Sequence, residues 1–418
     1  MAARPSKLDM VQPTSPLAPA QIPRLPPIAG VSLAAAECGI RYRGRRDLMV
    51  AVLAPKTTIA GVFTRSLTAG APVEWCRDAL KRGKARAIVV NSGNANVFTG
   101  RAGREVVART AKTTAEIVGC HAREVFIAST GVIGEPPPAG KILGALKPAF
   151  AGVSPAGWDV AAQAIMTTDT FPKLAMRQAR IDGVPVTIGG FAKGSGMIAP
   201  DMATMLAFLF TDAAVPAPLL QAMLKSANER SFNSITVDGD TSTSDTVLLC
   251  ATQQAKHKRI MSLDGRLAEF RRALDAVMID LAQQIVRDGE GAEKFVTIEV
   301  TGAQSAGAAR RIGLAVGNSP LVKTAIAAGD ANWGRIVMAV GKGGEKAERD
   351  KLAISVGGVA IAAKGGPVPG YDEAPVAKHM AGRDIHIAID LGIGNGRATV
   401  WTCDLTHRYI DINGSYRS

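Results

Sequence analysis

Near the middle of the chain a threonine stands in the run Lys193-Gly194-Ser195-Gly196-Met197-Ile198-Ala199-Pro200-Asp201-Met202-Ala203-Thr204-Met205-Leu206. A threonine hydroxyl is a weak nucleophile unless a base lies beside it. One solution is to make threonine the first residue of a chain, so that its own α-amine takes the proton. Thr204 is internal, so it reaches that state only if the Ala203–Thr204 bond is cut. Without that chemistry, Gly194 and Gly196 read as loop glycines and Met197, Met202 and Met205 as core filler. A second candidate is Ser129-Thr130-Gly131-Val132-Ile133-Gly134, which reads as a strand leaving into a glycine turn. Backbone N–H groups there, with the Thr130 hydroxyl, could point at one developing oxyanion, the donor geometry that acyl transfer needs.

Three further polar groups stand out. Thr167-Thr168-Asp169-Thr170-Phe171-Pro172-Lys173 is dense in hydroxyls around one acid, a composition that also suits a helix cap or turn. Arg287-Asp288-Gly289-Glu290-Gly291-Ala292-Glu293-Lys294 follows a helical pattern. An acid at a helix C-terminus opposes the dipole, so Glu290 needs a reason, and a carboxylate presented between two glycines could bind a charged amine. The chain closes with Ile412-Asn413-Gly414-Ser415-Tyr416-Arg417-Ser418, ordinarily a frayed end.

The central run resembles the self-cleavage motif of the glutamate N-acetyltransferase/ornithine acetyltransferase family, bifunctional in arginine biosynthesis. There the wording is Lys-Gly-Ser-Gly-Met-Ile, a short spacer, then Met-Ala-Thr-Met-Leu, and every position is matched here. The resemblance runs from about residue 29 to residue 418 and includes Asn91-Ser-Gly-Asn-Ala-Asn96, Ser231–Asp245 and Asp330-Ala-Asn-Trp-Gly-Arg335. It implies that Thr204 is the nucleophile and that Thr130, by its hydroxyl, and Gly131, by its backbone, hold the oxyanion. It further implies that Thr167 (with Thr168 as its neighbour), Lys193, Glu290, Asn413 and Ser418 bind substrate. Glu293 stands where the family commonly has threonine, Gly414 where alanine is frequent, and Ser418 where the family more often ends in threonine. The Ser418 change keeps the hydroxyl.

These residues need elements to position them. Leu48–Leu53, Ile59–Phe63, Ala87–Asn91 and Val125–Ser129 read as short apolar strands, and an amphipathic helix over Gly100–Val118 lies between the last two. Ala175–Ile188 reads as a hairpin turning at Asp182-Gly183, and the apolar run after Thr204 as a buried strand. Helices are expected near Pro216–Ser231, Arg266–Asp288 and Ser319–Ala328. Strands are expected near Val296–Val300, Lys351–Val356, Ile385–Asp390 and Arg397–Cys403. Strand–helix–strand order points to an α/β fold of layered sheets and helices. The resemblance implies the ornithine acetyltransferase/self-cleaving aminopeptidase type. Residues 1–28 form a Pro-rich extension, expected to be disordered or loosely draped. Residues 29–203 complete an α chain, and residues 204–418 form a β chain.

Composition limits the alternatives. The 418 residues carry 49 basic and 36 acidic side chains, a net charge of +13. The clusters Arg41–Arg46 and Lys81–Arg86 read as solvated faces, and the few aromatics do not suggest stacking on nucleic acid. Five scattered cysteines without a CxxC point to a reducing compartment, hence the cytoplasm. No metal-ligand spacing stands out; Ser231–Asp245 is rich in acids and hydroxyls but lacks the pattern of a calcium loop, and reads as active-site wall or interface. No apolar run is long enough to span a membrane.

The resulting expectation is acetyl transfer from N-acetylornithine to glutamate through an acetyl-threonine, with ping-pong kinetics and no metal or organic cofactor. Whether acetyl-CoA also serves as donor stays open. The resemblance implies an α2β2 assembly of the cut chains. A self-cleaving aminopeptidase or amidohydrolase of related fold is the alternative enzyme. The Lys193, Glu290, Asn413 set opposes it, because it suits a zwitterionic amino-acid head group. A basic nucleic-acid-binding protein is the non-enzymatic alternative, and it lacks the clustered Lys/Arg with aromatics.

Overall fold

The computed structural model describes residues 13–199 and 205–414. Three sheets organise them. The first has four strands in the order Val31–Ala36, Leu48–Leu53, Ala87–Asn94, Val125–Val132. Its last pair is parallel, and the helix Gly100–Val118 makes the crossover. The second has five, in the order Thr58–Phe63, Thr246–Ala251, Leu206–Thr211, Val184–Lys193, Lys173–Ile181. The third has six, in the order Gly366–Pro367, Val359–Ala363, Ala353–Val356, Asp384–Asp390, Phe295–Ala303, Gly396–Cys403.

The period-two alternation of side chains along a strand explains the layering. In the first sheet Met49, Ala51, Ile88, Val90, Phe126 and Ala128 face one way. They share a core with Phe191, Leu206, Phe208, Phe210, Leu248 and Cys250 of the second sheet. The intervening Leu48, Val50, Ala87, Val89, Val125 and Ile127 face the opposite way, against the helices Gly100–Val118 and Ala139–Ala151. The other face of the second sheet, with Ala207, Leu209, Val247 and Leu249, packs on Ala217–Glu229 and Ala268–Arg287. The order is therefore helix, sheet, sheet, helix. The third sheet has its own core with Ala306–Gly317, Pro320–Ala327 and Trp333–Gly341.

Leu206–Thr211 is buried at every position, as expected of a strand covered on both faces. The hairpin turns at Asp182 (φ +50°) and Gly183 (φ +78°), the pair of positive φ values that a tight two-residue hairpin demands. Several elements escaped the sequence reading, among them the strands Val31–Ala36 and Thr246–Ala251 and the helices Ala71–Ala79, Ala139–Ala151, Trp158–Ala164 and Ala306–Gly317. Pro148 inside Ala139–Ala151 disguised one helix.

Two expectations are corrected. The extension is not loosely draped where it is described. Leu17, Leu25 and Ile28 are buried, and the Ser15 hydroxyl donates to the Arg287 carbonyl at 2.6 Å. The Ser129–Gly134 segment does not leave its strand at Thr130. The strand runs to Val132, and its pairing is irregular opposite Asn94. At Gly131 φ is +130°, and a Cβ there would lie 2.4 Å from the Gly93 carbonyl carbon. A side chain at residue 131 would strain the backbone, by roughly 1–3 kcal/mol for the φ value alone, and would push the two strands apart. Gly131→Ala should lower the midpoint of thermal or denaturant unfolding and open the Thr130 end of the strand. An unchanged unfolding midpoint would show that the close approach is not needed.

Candidate active site

A cavity of about 430 Å³ opens where the first two sheets meet the segment after Arg287. Thr130, Gly131, Thr167, Lys193, Glu290 and Asn413 all line it. These side chains come from five places widely separated in sequence. Ala203, Thr204 and Ser418 lie outside the described residues. The described chain resumes at Met205, and Leu206 pairs directly with Lys193 across the sheet.

Thr130 and Lys193 sit at the ends of buried strands. The Lys193 Nζ donates to Thr130 Oγ1 at 3.3 Å. A hydroxyl that accepts from an ammonium turns its own proton elsewhere, which leaves the Thr130 O–H free to donate to an oxyanion. Burial lowers the Lys193 ammonium below its usual range, against the opposing pull of Asp169. Asn91, Ser92 and Asn94 brace this end of the sheet. The Ser129 hydroxyl donates to Asn91 Oδ1 at 2.6 Å, and Asn91 Nδ2 donates to the Asn94 carbonyl at 2.8 Å. The Asn91–Asn96 segment is thus scaffold for the strand end that carries Thr130 and Gly131.

Glu290 faces the cavity from the turn after the long helix Ala268–Arg287. Its N–H donates to the Ser195 carbonyl at 3.0 Å. A Cβ on Gly196 would come within 2.4 Å of Glu290 Oε2, so the central glycines leave room for this carboxylate. Asn413 Nδ2 donates to Glu290 Oε2 at 2.7 Å. Asn413 therefore acts on Glu290 as well as lining the cavity. It belongs to the helix His407–Asn413. The terminus is seated by Gly291 (φ +76°), whose absent Cβ would lie 2.7 Å from the Tyr409 nitrogen. Burial raises the Glu290 carboxyl above its usual range, and the Asn413 and Thr168 hydrogen bonds oppose it.

The sequence reading missed the ionic framework beneath these groups. Lys173 is completely buried and donates to Asp169 at 2.7 Å and Asp288 at 2.6 Å. Asp169 also accepts from the Gly194 N–H at 2.7 Å and the Thr167 N–H at 3.0 Å. Burial pushes Asp169 up, but Lys173 and Lys193 outweigh it and hold the carboxyl well below the ordinary range. Asp238 was missed as well. It accepts from the Met197 and Ile198 N–H groups at 2.5 and 2.9 Å and from the Tyr409 hydroxyl at 3.3 Å. The signal was present in the acid-rich Ser231–Asp245 segment, which lines this cavity between Asp238 and Ser244. The Asp330–Arg335 motif is not brought to this site. Asn332 caps Trp333–Gly341, beside a separate cavity of about 390 Å³.

The ArgJ family model matches residues 32–418. The chain belongs to the ArgJ family. It is accordingly an acyltransferase of arginine biosynthesis. It is 58% identical over 407 residues to the arginine biosynthesis bifunctional protein ArgJ of Gluconobacter oxydans, covering 97% of this chain and 96% of that protein. It is 56% identical over 408 residues to the protein of the same name from Bradyrhizobium diazoefficiens, covering 97% and 99%. Among solved structures, the arginine biosynthesis bifunctional protein ArgJ of Bacillus halodurans is 39% identical, covering 51% of this chain and all of that one, with a TM-score of 0.49. Among the described residues of this ArgJ-family chain, no helix is long and apolar enough to cross a membrane.

The framework generates a test. Lys173→Met removes the one cation between two buried carboxylates, and breaking a buried pair this way costs about 3–5 kcal/mol. Denaturant unfolding should show a loss of that size, and substrate binding should weaken with it. A melt within about 1 kcal/mol of the parent would mean the three groups are not held as an ionic unit.

Proposed function

We propose that the cavity transfers the acetyl group of N-acetylornithine to glutamate through acetyl-Thr204, after the chain has cut itself between Ala203 and Thr204. The convergence of Thr130, Gly131, Thr167, Lys193, Glu290 and Asn413 on one cavity, beside the strand that begins just after Thr204, carries this reading. The α-amine of Thr204 takes the proton of its hydroxyl, directly or through water, and the oxygen attacks the acetyl carbonyl. Thr130 and Gly131 receive the developing negative charge. Glu290, steadied by Asn413, takes the amine of the amino-acid head group, and Lys193 takes its carboxylate. Thr167 and Ser418 complete the contacts. Ornithine leaves, and glutamate enters the same cavity and accepts the acetyl group.

The cut yields an α chain, residues 1–203, and a β chain, residues 204–418, which pair as an α2β2 assembly in the cytoplasm. The scheme uses no metal or organic cofactor. An assay with N-acetylornithine and glutamate tests the reaction, and the same assay with acetyl-CoA and glutamate sets the range of donors.

Denaturing electrophoresis should show two fragments of similar size, with one beginning Thr204-Met205-Leu206. Thr204→Ala should leave the chain intact and inactive. A fully active, uncut chain would overturn the mechanism. Thr130→Ala should lower kcat by ~10²–10³ with little change in KM, because an oxyanion donor acts mainly in the transition state. An effect confined to KM would remove Thr130 from that role.

A further inference from the structure

The turn that presents Glu290 borders two cavities. One is the active-site cavity, and the other, of about 230 Å³, is walled by Pro13–Pro16 together with Asp288–Glu293. A segment with space beside it is not fixed by close packing alone, so directed hydrogen bonds must set its place. Three hydroxyls hold carbonyls along it. Ser15 Oγ donates to the Arg287 carbonyl at 2.6 Å, Ser195 Oγ to the Asp288 carbonyl at 2.5 Å and Thr406 Oγ1 to the Gly291 carbonyl at 2.7 Å. Arg287 closes the helix Ala268–Arg287, and the last carbonyls of a helix have no partner within it. Ser15 reaches this end from the Pro-rich extension, ahead of residue 32, where the ArgJ family match begins. It makes a second contact. Its N–H donates to Thr170 Oγ1 at 2.9 Å. A hydroxyl that accepts there sends its own proton elsewhere, and Thr170 Oγ1 donates to Asp288 Oδ1 while the Thr170 N–H donates to Asp288 Oδ2 at 2.9 Å. Ser15 is itself seated, because the Leu17 N–H donates to its Oγ at 3.2 Å and the Leu17 side chain is buried in the core.

We propose that Ser15 is a positioning residue for substrate binding, a clasp that fixes the span between Thr167 and Glu290. The inference rests on the reading of these two residues as binders of the amino-acid head group. The clasp acts close to both. Thr170 stands three residues after Thr167, and Arg287 three residues before Glu290. Ser15 holds the first by its N–H and the second by its hydroxyl, so a shift of either segment stretches a hydrogen bond to the same residue. The Lys173 bridge joins Asp169 to Asp288 through side chains. Ser15 adds a join through the backbone of the helix end, which the side-chain bridge does not touch. Without the hydroxyl, the Arg287 carbonyl loses this partner, and the Glu290 turn is free to yield toward the second cavity. Head-group affinity then falls, because the carboxylate no longer waits in the place where the amine arrives.

The test is calorimetric binding of ornithine and of glutamate, each alone, to the purified full-length protein, with melting temperature measured alongside. Neither ligand carries an acetyl group, so no transfer confuses the affinity. Ser15→Ala should weaken both by about tenfold, the scale of one hydrogen bond lost, and by the same factor, because the two ligands share the head group. Ser15→Thr keeps the hydroxyl and should bind as the parent does. If the parent binds both ligands and Ser15→Ala binds them equally well, Ser15 is an ordinary structural contact and the clasp is wrong, whatever the melting temperature does. If Ser15→Thr is as weak as Ser15→Ala, the hydroxyl is not the acting group and the clasp is again wrong. If the parent binds neither ligand, the head-group reading of the cavity itself fails and takes the clasp with it.

Discussion

The buried Lys173 ammonium between Asp169 and Asp288 is the interaction on which the site depends. Removing three charges from water is costly, and hydrophobic replacements of similar shape are often as stable. Stability is therefore a poor reason for the arrangement, and its connections supply a better one. Asp169 fixes the Thr167 nitrogen and the Gly194 nitrogen, so it sets both the Thr167–Thr168 segment and the turn after Lys193. Asp288 accepts from the Thr170 nitrogen at 2.9 Å, and its own carbonyl accepts from the Ser195 hydroxyl at 2.5 Å. It stands two residues before Glu290. One cation thereby ties together three of the segments that line the cavity, and each is held by hydrogen bonds with fixed directions rather than by apolar packing alone.

Close backbone approach is the second constraint. Gly131 meets Gly93, Gly196 makes room for the Glu290 carboxylate, and Gly291 admits the C-terminal helix. The three contacts differ in kind. At Gly131 and Gly291 the obstacle to a side chain is backbone, which cannot yield cheaply. At Gly196 it is the end of a flexible glutamate, which would turn away. Substitution at the first two positions deforms the fold, whereas substitution at the third chiefly displaces the Glu290 carboxylate.

Residue type and local periodicity made three of the four strands of the first sheet, the hairpin at Asp182-Gly183 and the buried strand after Met205 legible, while Val31–Ala36 escaped. The resemblance named the six cavity residues, and the structure shows that they converge. What stayed hidden is long-range. Nothing in the local run announces that Lys173 is buried, because only the fold brings residue 288 beside residue 169. The turn expected after Ser129 is a strand irregularity, because the close approach of Gly93 cannot be seen from one segment. Leu17 and Ser15 lie among prolines that suggest a free tail, yet they are anchored by partners far along the chain.

The cavity holds an acid and a base, Glu290 and Lys193, and the proposed transfer uses both on the head group that its two amino acids share. Lys193 stands beside Thr130, and Glu290 stands beside Asn413. Ornithine and glutamate share an α-amine and an α-carboxylate but differ in the charge of the side chain. A site that grips the common head group treats donor and acceptor alike. Each buried charge is then partly unmatched until substrate arrives. Burial raises Glu290 and lowers Lys193, so each leans toward its neutral form, and in the proposed scheme a zwitterionic head group would favour the charged form of both. Exchange of ornithine for glutamate replaces one such pairing by another of the same geometry. In the proposed scheme the acetyl group stays on Thr204 meanwhile, so the framework beneath need not move between the two half-reactions.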